Sequence, residues 1–192
     1  MLDVSGSMGW RMSSAQSVTY PMQSTTDSSG NIFVSQYYNY GVKKFTYTDK
    51  KVDTNWGDNG VHKGRSNYNQ CRVYYNYGGI KIHNGIIYAP GYYDRRIRMI
   101  RESDGACLGT ITINQYIRGF DIHSIGGTAH LFASHNGGVY TRNLSNNASR
   151  TCSHGNNSYL RYTMAMAANG NHLYTYYGNW ISRFNLVATG SN

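Results

Sequence analysis

Apolar and polar residues alternate along four stretches of the chain: NIFVSQYYNYGVKKF from Asn31 to Phe45 with its TTDSSG lead, GIKIHNGIIYAPGYYDRRIRMI, GFDIHSIGGTAHLFASHNGGVYTRNL and MAMAANGNHLYTYYGNWISRF. A period of two sends successive side chains to opposite faces of a sheet, so Ile80 and Ile82 face one way while Lys81 and His83 face the other. Each stretch reads as strand, tight turn, strand, polar loop, strand. The third strands are expected to start at Val42, Ile97, Val139 and Ile181, in steps of 55, 42 and 42 residues. Turn-forming residues follow each of them at Asp49, Asp104-Gly105, Asn146-Asn147 and Ala188-Thr189-Gly190. Fourth strands are then expected at Val52 to Trp56, Leu108 to Ile113 and Arg150 to Ser153.

A four-stranded unit recurring about every 40–50 residues is the pattern of β-propeller blades. The sequence therefore predicts an all-β chain, a propeller of about four blades of four antiparallel strands. We read one domain over residues 1–192, with blade units at 20–57, 78–113, 119–153 and 163–192, and a partial outer strand within 1–19. The opening LDVSGSM matches LVATGSN at the far end of the chain, which makes it the turn of a preceding blade, with Met8 to Met12 as that blade's outer strand. Asp3, Ser5 and Ser7 also have the spacing of a metal-ion-dependent adhesion site, but no alternating helices and strands follow to build the fold such a site requires. Two arrangements stay open: Met8 to Met12 closes a four-bladed ring, or the chain is part of a larger propeller.

The segment TTDSSGNIFVSQYYNYGVKKFTYTDKKVDTNWGDNG carries Asp27, Gly30-Asn31, Ile32-Phe33-Val34, Val42-Lys-Lys-Phe45 and Trp56-Gly57. In these features it resembles an NHL-type propeller repeat, and the rhythm covers nearly the whole chain. The resemblance implies the fold; its short motifs say little of function.

Composition fits strands and turns: among 192 residues there are 22 Gly, 19 Tyr and only 2 Pro. Lys and Arg outnumber Asp and Glu by 18 to 9, which favours an acidic partner. Cys71, Cys107 and Cys152 form an odd set without CxxC spacing, so neither a metal cluster nor a redox pair is indicated. Sequons at Asn143, Asn147 and Asn156 are glycosylation candidates in a secretory pathway and point to an extracellular or cell-surface glycoprotein. No stretch is long and apolar enough to insert in a membrane, and Met1 is not followed by a signal segment, so the chain is expected to be soluble as given.

Candidate chemistry lies in the loops. The second-to-third-strand loops read QYYNYG, GYYDRR, SHNGG and YYGNW, and the segments between blades include NYNQCRVYYNYGG and NNSYLRY. In a propeller these cluster at one mouth, so Tyr37, Tyr38, Tyr40, Tyr92, Tyr93, Tyr176, Tyr177 and Trp180 are expected to share a ligand-binding rim, with Arg95 and Arg96 adding charge and Lys43 and Lys44 nearby. The plainer alternative is that half of these tyrosines fill gaps between blades. His83 and His123 end matching first strands, but the fourth-blade equivalent is Ala167, so no metal site is expected. With no nucleophile elbow, phosphate-cradling loop or paired carboxylates, the chain is expected not to be an enzyme and to need no cofactor. The resulting reading is an extracellular interaction or structural assembly module, binding a protein partner or its own copies through the tyrosine face and strand edges. The alternative is a lectin-like binder of an acidic glycan or other polyanion; nucleic acid is the less favoured partner.

Overall fold

The computed structural model describes residues 18, 20–37, 41–64, 71–77, 79–136, 138–153, 165–177 and 180–186. Among these the chain is all-β, folded as four antiparallel sheets in chain order. Sheet 1 holds β1 (Pro21–Thr26), β2 (Ile32–Gln36) and β3 (Val42–Phe45). Sheet 2 holds β4 (Lys81–His83), β5 (Ile86–Gly91), β6 (Arg96–Arg101) and β7 (Cys107–Thr112). Sheet 3 holds β8 (Gly119–Ile125), β9 (Thr128–His135), β10 (Gly138–Asn143) and β11 (Ser149–Ser153), and sheet 4 holds β12 (Ala165–Asn169), β13 (His172–Tyr177) and β14 (Trp180–Asn185). The expected opening strand and the adhesion-site reading at Asp3 lie outside the described residues.

Turn chemistry sets the register. Asn84 and Gly85 join β4 to β5, and Gly126 and Gly127 join β8 to β9, all four at positive φ, the two-residue turn that matches the twist of paired strands. In the turn between β1 and β2, Asp27 Oδ1 accepts the backbone N–H of Ser29 and of Asn31, at 2.9 and 2.8 Å. Between β10 and β11, Asn143 Oδ1 accepts Ser145 N–H at 2.8 Å in the same manner. Asp104 Oδ1 accepts Ala106 N–H between β6 and β7, and this bond holds the Asp104 carboxyl below the usual carboxylate range.

Alternation along the middle strands builds the core between sheets. Phe33, Val42 and Trp56 meet Ile80, Ile87, Ala89 and Ile100 of the second unit. The opposite face of sheet 2, with Tyr88, Ile97 and Ile111, meets Phe120, Leu131, Ala133 and Tyr140. Phe132 and Val139, on the far face of sheet 3, meet Leu173. Burial pushes the Tyr88 hydroxyl pKa up, with Arg142 opposing. The first strands stand side by side in the order β1, β4, β8, β12, with no extensive contact between β1 and β12, so the described residues form propeller-like blades without a closed ring.

One expected element is corrected. Val52 to Trp56 is not a fourth strand: Val52 makes a single bridge to Phe45, and Val61 bridges Lys43 in its place. The cause is local. Trp56 turns inward to donate from Nε1 to Glu102 O at 2.7 Å, and Gly57, Asn59 and Gly60 at positive φ coil the chain around it. Among the described residues sheet 1 therefore has three strands; sheet 4 also has three, in line with the outer strands having been expected in the first three units only.

Candidate functional site

Two backbone hydrogen bonds, a disulfide and a buried histidine bring the tyrosines of sheets 1 and 2 together. Tyr37, just past β2, donates its N–H to Tyr20 O at 2.9 Å. Segment 71–77 crosses from sheet 1 to sheet 2, and Tyr92 N–H donates to Tyr75 O at 2.9 Å, fastening it to the turn between β5 and β6. Its start is held by a disulfide between Cys71 and Cys107 on β7, a pairing that the spacing of the cysteines did not reveal. Buried His62 completes the anchor: Nδ1 accepts Val42 N–H at 2.9 Å, so Nε2 carries the proton and donates to Cys71 O at 2.7 Å.

Tyr20, Tyr37, Tyr74, Tyr75, Tyr77, Tyr92, Tyr93 and Tyr116 form one connected network of rings. Centroid separations run from 4.4 Å for Tyr74 and Tyr75 to 6.5 Å for Tyr75 and Tyr77. Most contacts are edge-to-face, such as Tyr37 on Tyr75 at 4.6 Å and Tyr75 on Tyr93 at 4.8 Å, the geometry that the ring quadrupole favours. The Tyr37 and Tyr77 hydroxyls share a hydrogen bond of 3.0 Å. Three guanidiniums lie over rings: Arg72 on Tyr74 at 4.8 Å, Arg95 on Tyr116 at 4.6 Å and Arg118 on Tyr92 at 5.4 Å. Tyr20, Tyr77 and Tyr93 are 66%, 38% and 50% exposed, so the network opens to solvent rather than filling a core.

Beneath it sits an enclosed ion pair. Asp94, in the same turn as Tyr92 and Tyr93, pairs with Arg98, and both side chains are shut off from solvent. Arg98 Nε also donates to Arg72 O at 2.9 Å, which ties the pair to the tyrosine-bearing segment. Burial raises the Asp94 carboxyl above the usual carboxylate range, opposed chiefly by the Arg98 charge. A Cβ at position 91 would lie 2.1 Å from Asp94 Oδ1, so glycine there makes room for the carboxylate.

Of the residues expected at the rim, Tyr37, Tyr92, Tyr93 and Arg95 come together. Tyr38 and Tyr40 lie outside the described residues, as does the sequon at Asn156. Tyr176 is exposed on β13 and, among the described residues, shares no ring contact with the network. Tyr177 and Trp180 are cross-strand partners where β13 meets β14. Arg96 opens β6, paired with Gly91 and Thr112. Lys44, expected nearby, instead pairs with Asp53 at 3.0 Å and lies over Phe33. Tyr74, Tyr75, Tyr77, Tyr116, Arg72 and Arg118 were not singled out, although the density of tyrosine in CRVYYNYGG was a signal. Asn143 is engaged in its turn, while Asn147 is exposed and its Oδ1 accepts from Arg142 at 2.8 Å. His123 bonds Gly170 O at 2.9 Å, and no group of three or more His, Cys, Asp or Glu among the described residues is arranged to hold a metal ion.

No family model matches the chain, and no curated protein matches it significantly. Solved structures do. The extracellular domain of a putative hybrid two-component system from B. thetaiotaomicron superimposes with TM-score 0.59 at 13% identity, over 87% of this chain and 21% of that one. Virginiamycin B lyase from Staphylococcus aureus gives 0.57 at 12%, over 90% of this chain and 57% of the lyase. Kuenenia stuttgartiensis hydrazine synthase gives 0.60 at 12%, over 96% and 46%. The chain thus spans a fifth to somewhat over half the length of these structures. At such identities the likeness shows the fold alone: propeller-like, with no NHL family identified. It also corrects the expectation that the chain is not an enzyme. The fold is shared with virginiamycin B lyase, so missing sequence motifs give no ground for excluding catalysis. An extracellular-domain neighbour and the disulfide are both consistent with an extracellular location. No helix among the described residues is long and apolar enough to cross a membrane.

Proposed function

We propose that this chain is an extracellular recognition module of NHL-like propeller blades, one domain over residues 1–192, whose tyrosine–arginine face docks an acidic protein partner. The observation that carries the reading is the ring network with Arg72, Arg95 and Arg118 seated on it. Tyrosine and arginine dominate the energetic centres of protein interfaces, because rigid rings and forked donors lose little freedom on binding. Asp94, the carboxylate of that turn, is enclosed against Arg98 and does not neutralise the face. Exposed Asn147 is the sequon best placed for a glycan in this reading.

The test is surface-immobilised chain against polyglutamate at low salt, with neutral dextran as a control. Polyglutamate is expected to bind, and Tyr93→Ala and Arg95→Ala each to weaken it by roughly fivefold or more, as truncation at an interface centre does. Affinity falls as salt rises. Equal binding by both variants and the parent overturns the reading. A second reading, an acidic glycan, is favoured by the exposed rings of Tyr77 and Tyr93, whose ring neighbours Tyr92, Tyr74 and Tyr116 each carry a guanidinium, a combination that suits sugar binding. It takes precedence if chondroitin sulfate binds and polyglutamate does not.

A further inference from the structure

One pair in the tyrosine network meets through its hydroxyls. Tyr37, just past β2, and Tyr77, at the end of segment 71–77, share a hydrogen bond of 3.0 Å in an exposed setting, each phenol being able to donate or accept. Their ring centroids are 5.7 Å apart and the ring planes cross at 70°. Two phenols reaching end to end across such a bond would hold their centroids farther apart, so these rings lean together. The carbons ortho to each hydroxyl therefore lie close to one another. Tyr75 is the nearer ring to Tyr37 by centroid, at 4.6 Å, but it meets Tyr37 edge to face.

Ortho carbons are where a phenoxyl radical carries spin and where two tyrosines couple. A one-electron oxidant takes an electron from each phenol, and each hydroxyl proton passes to water. The two radicals form one carbon–carbon bond between ortho carbons, and each ring then moves its ortho hydrogen to the oxygen, which restores the phenol. Hydrogen peroxide acting through a haem peroxidase balances the step: its oxygen–oxygen bond breaks, it takes up both electrons and both protons, and it leaves as water. The rest of the network supplies points of entry. Tyr20 and Tyr93 are 66% and 50% exposed; Tyr20 contacts Tyr37 at 6.4 Å, and Tyr93 reaches it through Tyr75 by contacts of 4.8 and 4.6 Å. A radical made at either exposed ring passes to Tyr37 by electron exchange between touching rings. Because the fold holds both partners in one molecule, their coupling is unimolecular and outpaces links between chains.

We propose that Tyr37 and Tyr77 form a site of oxidative modification, joined by a haem peroxidase and hydrogen peroxide into a dityrosine within one chain. The cross-link ties the end of β2 to the far end of segment 71–77, whose start the Cys71–Cys107 disulfide already holds, and both bonds belong to an oxidising environment. It closes 40 residues of separation and so restricts the unfolded chain as a disulfide does. The coupling needs only the ring geometry, so a chain that ignores polyglutamate leaves it standing.

Treatment of the full chain with a haem peroxidase and limiting hydrogen peroxide tests it, read by dityrosine fluorescence, gel mobility and mass spectrometry of the linked peptides. The expected product is a fluorescent single chain lighter by two hydrogens, whose fragments join Tyr37 to Tyr77. Tyr77→Phe is expected to lose that link, since phenylalanine keeps the ring but makes no phenoxyl radical. Tyr75→Phe is expected to retain it, although Tyr75 is the ring nearer to Tyr37. In urea the preference should vanish, with links scattered over the 19 tyrosines of the chain. A dominant link within the chain at another pair, fluorescence confined to chains joined to each other, loss of the link in Tyr75→Phe, or a link pattern unchanged by urea overturns the proposal.

Discussion

At the scale of single residues, the enclosed Asp94–Arg98 pair is the feature with the largest consequence, because it fixes the turn that presents Tyr92 and Tyr93 and has no water to fall back on. Taking a carboxylate out of water costs several kcal/mol, about as much as the partner's charge returns, so such a pair holds geometry more than it adds stability. Its titration makes this measurable. The Asp94 carboxyl holds a proton more tightly in the folded chain than in the unfolded one. Between the ordinary carboxylate range and the raised value, the folded state therefore binds more protons, and stability falls as pH rises through that window. Urea midpoints measured at successive pH values should show this downward slope, and Asp94→Asn should lack it while being less stable by about 3–5 kcal/mol at neutral pH, since Arg98 is left enclosed without its counter-charge. A slope unchanged in the variant would assign the titration to another group. None of this was legible in GYYDRR, where Arg95 and Arg96 read as charge on the rim; Asp94 and Arg98 are enclosed where Arg98 reaches the backbone of segment 71–77.

At the scale of elements, that segment decides how much of the site the sequence revealed. The expected third-strand starts fall within one residue of β3, β6, β10 and β14, and the fourth strands at Leu108 and Arg150 are β7 and β11, because alternation and turn residues are local signals. Segment 71–77 has no period of its own. Its path is set by contacts distant in sequence: the bridge to Cys107, the His62 ring and the Arg98 bond to Arg72 O. Half of the ring network, Tyr74, Tyr75, Tyr77 and Tyr116, sits on connections of this kind, so the rim was anticipated only in the short loops between second and third strands, whose place the strand rhythm sets. Opening the bridge should expose that dependence. Closing 36 residues of separation by a disulfide contributes about 2–4 kcal/mol, largely through the unfolded chain. Replacing Cys71 and Cys107 together by serine should lower the denaturation midpoint accordingly. Steady-state tyrosine anisotropy should also drop before global unfolding as Tyr74 to Tyr77 loosen. A lowered midpoint with unaltered anisotropy would show that His62 and Arg98 suffice to hold the segment.

At the scale of the whole molecule, the cores among the described residues lie between successive sheets, so stability is a sum of sheet and junction terms, and the chain is able to open from one end. The junctions are unlike in kind. Sheets 1 and 2 are joined by the disulfide, Trp56 and the tyrosine network, whereas near the first strands of sheets 2, 3 and 4 one carboxylate does the joining. Asp121 on β8 pairs with Lys81 of β4 at 2.9 Å and accepts the Ala168 N–H of β12 at 2.7 Å, and it is 6% exposed. The alternating pattern FDIH gives no hint of this, because alternation is a local signal and the partners of Asp121 belong to other sheets. Asp121→Ala leaves the Ala168 N–H without its acceptor near a buried junction, a cost of about 1–3 kcal/mol. Because the lost bond belongs to the last junction, amide exchange in β12 to β14 should quicken by roughly tenfold or more, with β5 and β6 nearly unchanged. Asp121→Asn keeps a carbonyl acceptor and should restore most of the protection in sheet 4, although it gives up the charge that attracts Lys81. Uniform acceleration across all four sheets would instead mean that they open as one cooperative unit, and the nearest-neighbour account of this fold would then be wrong.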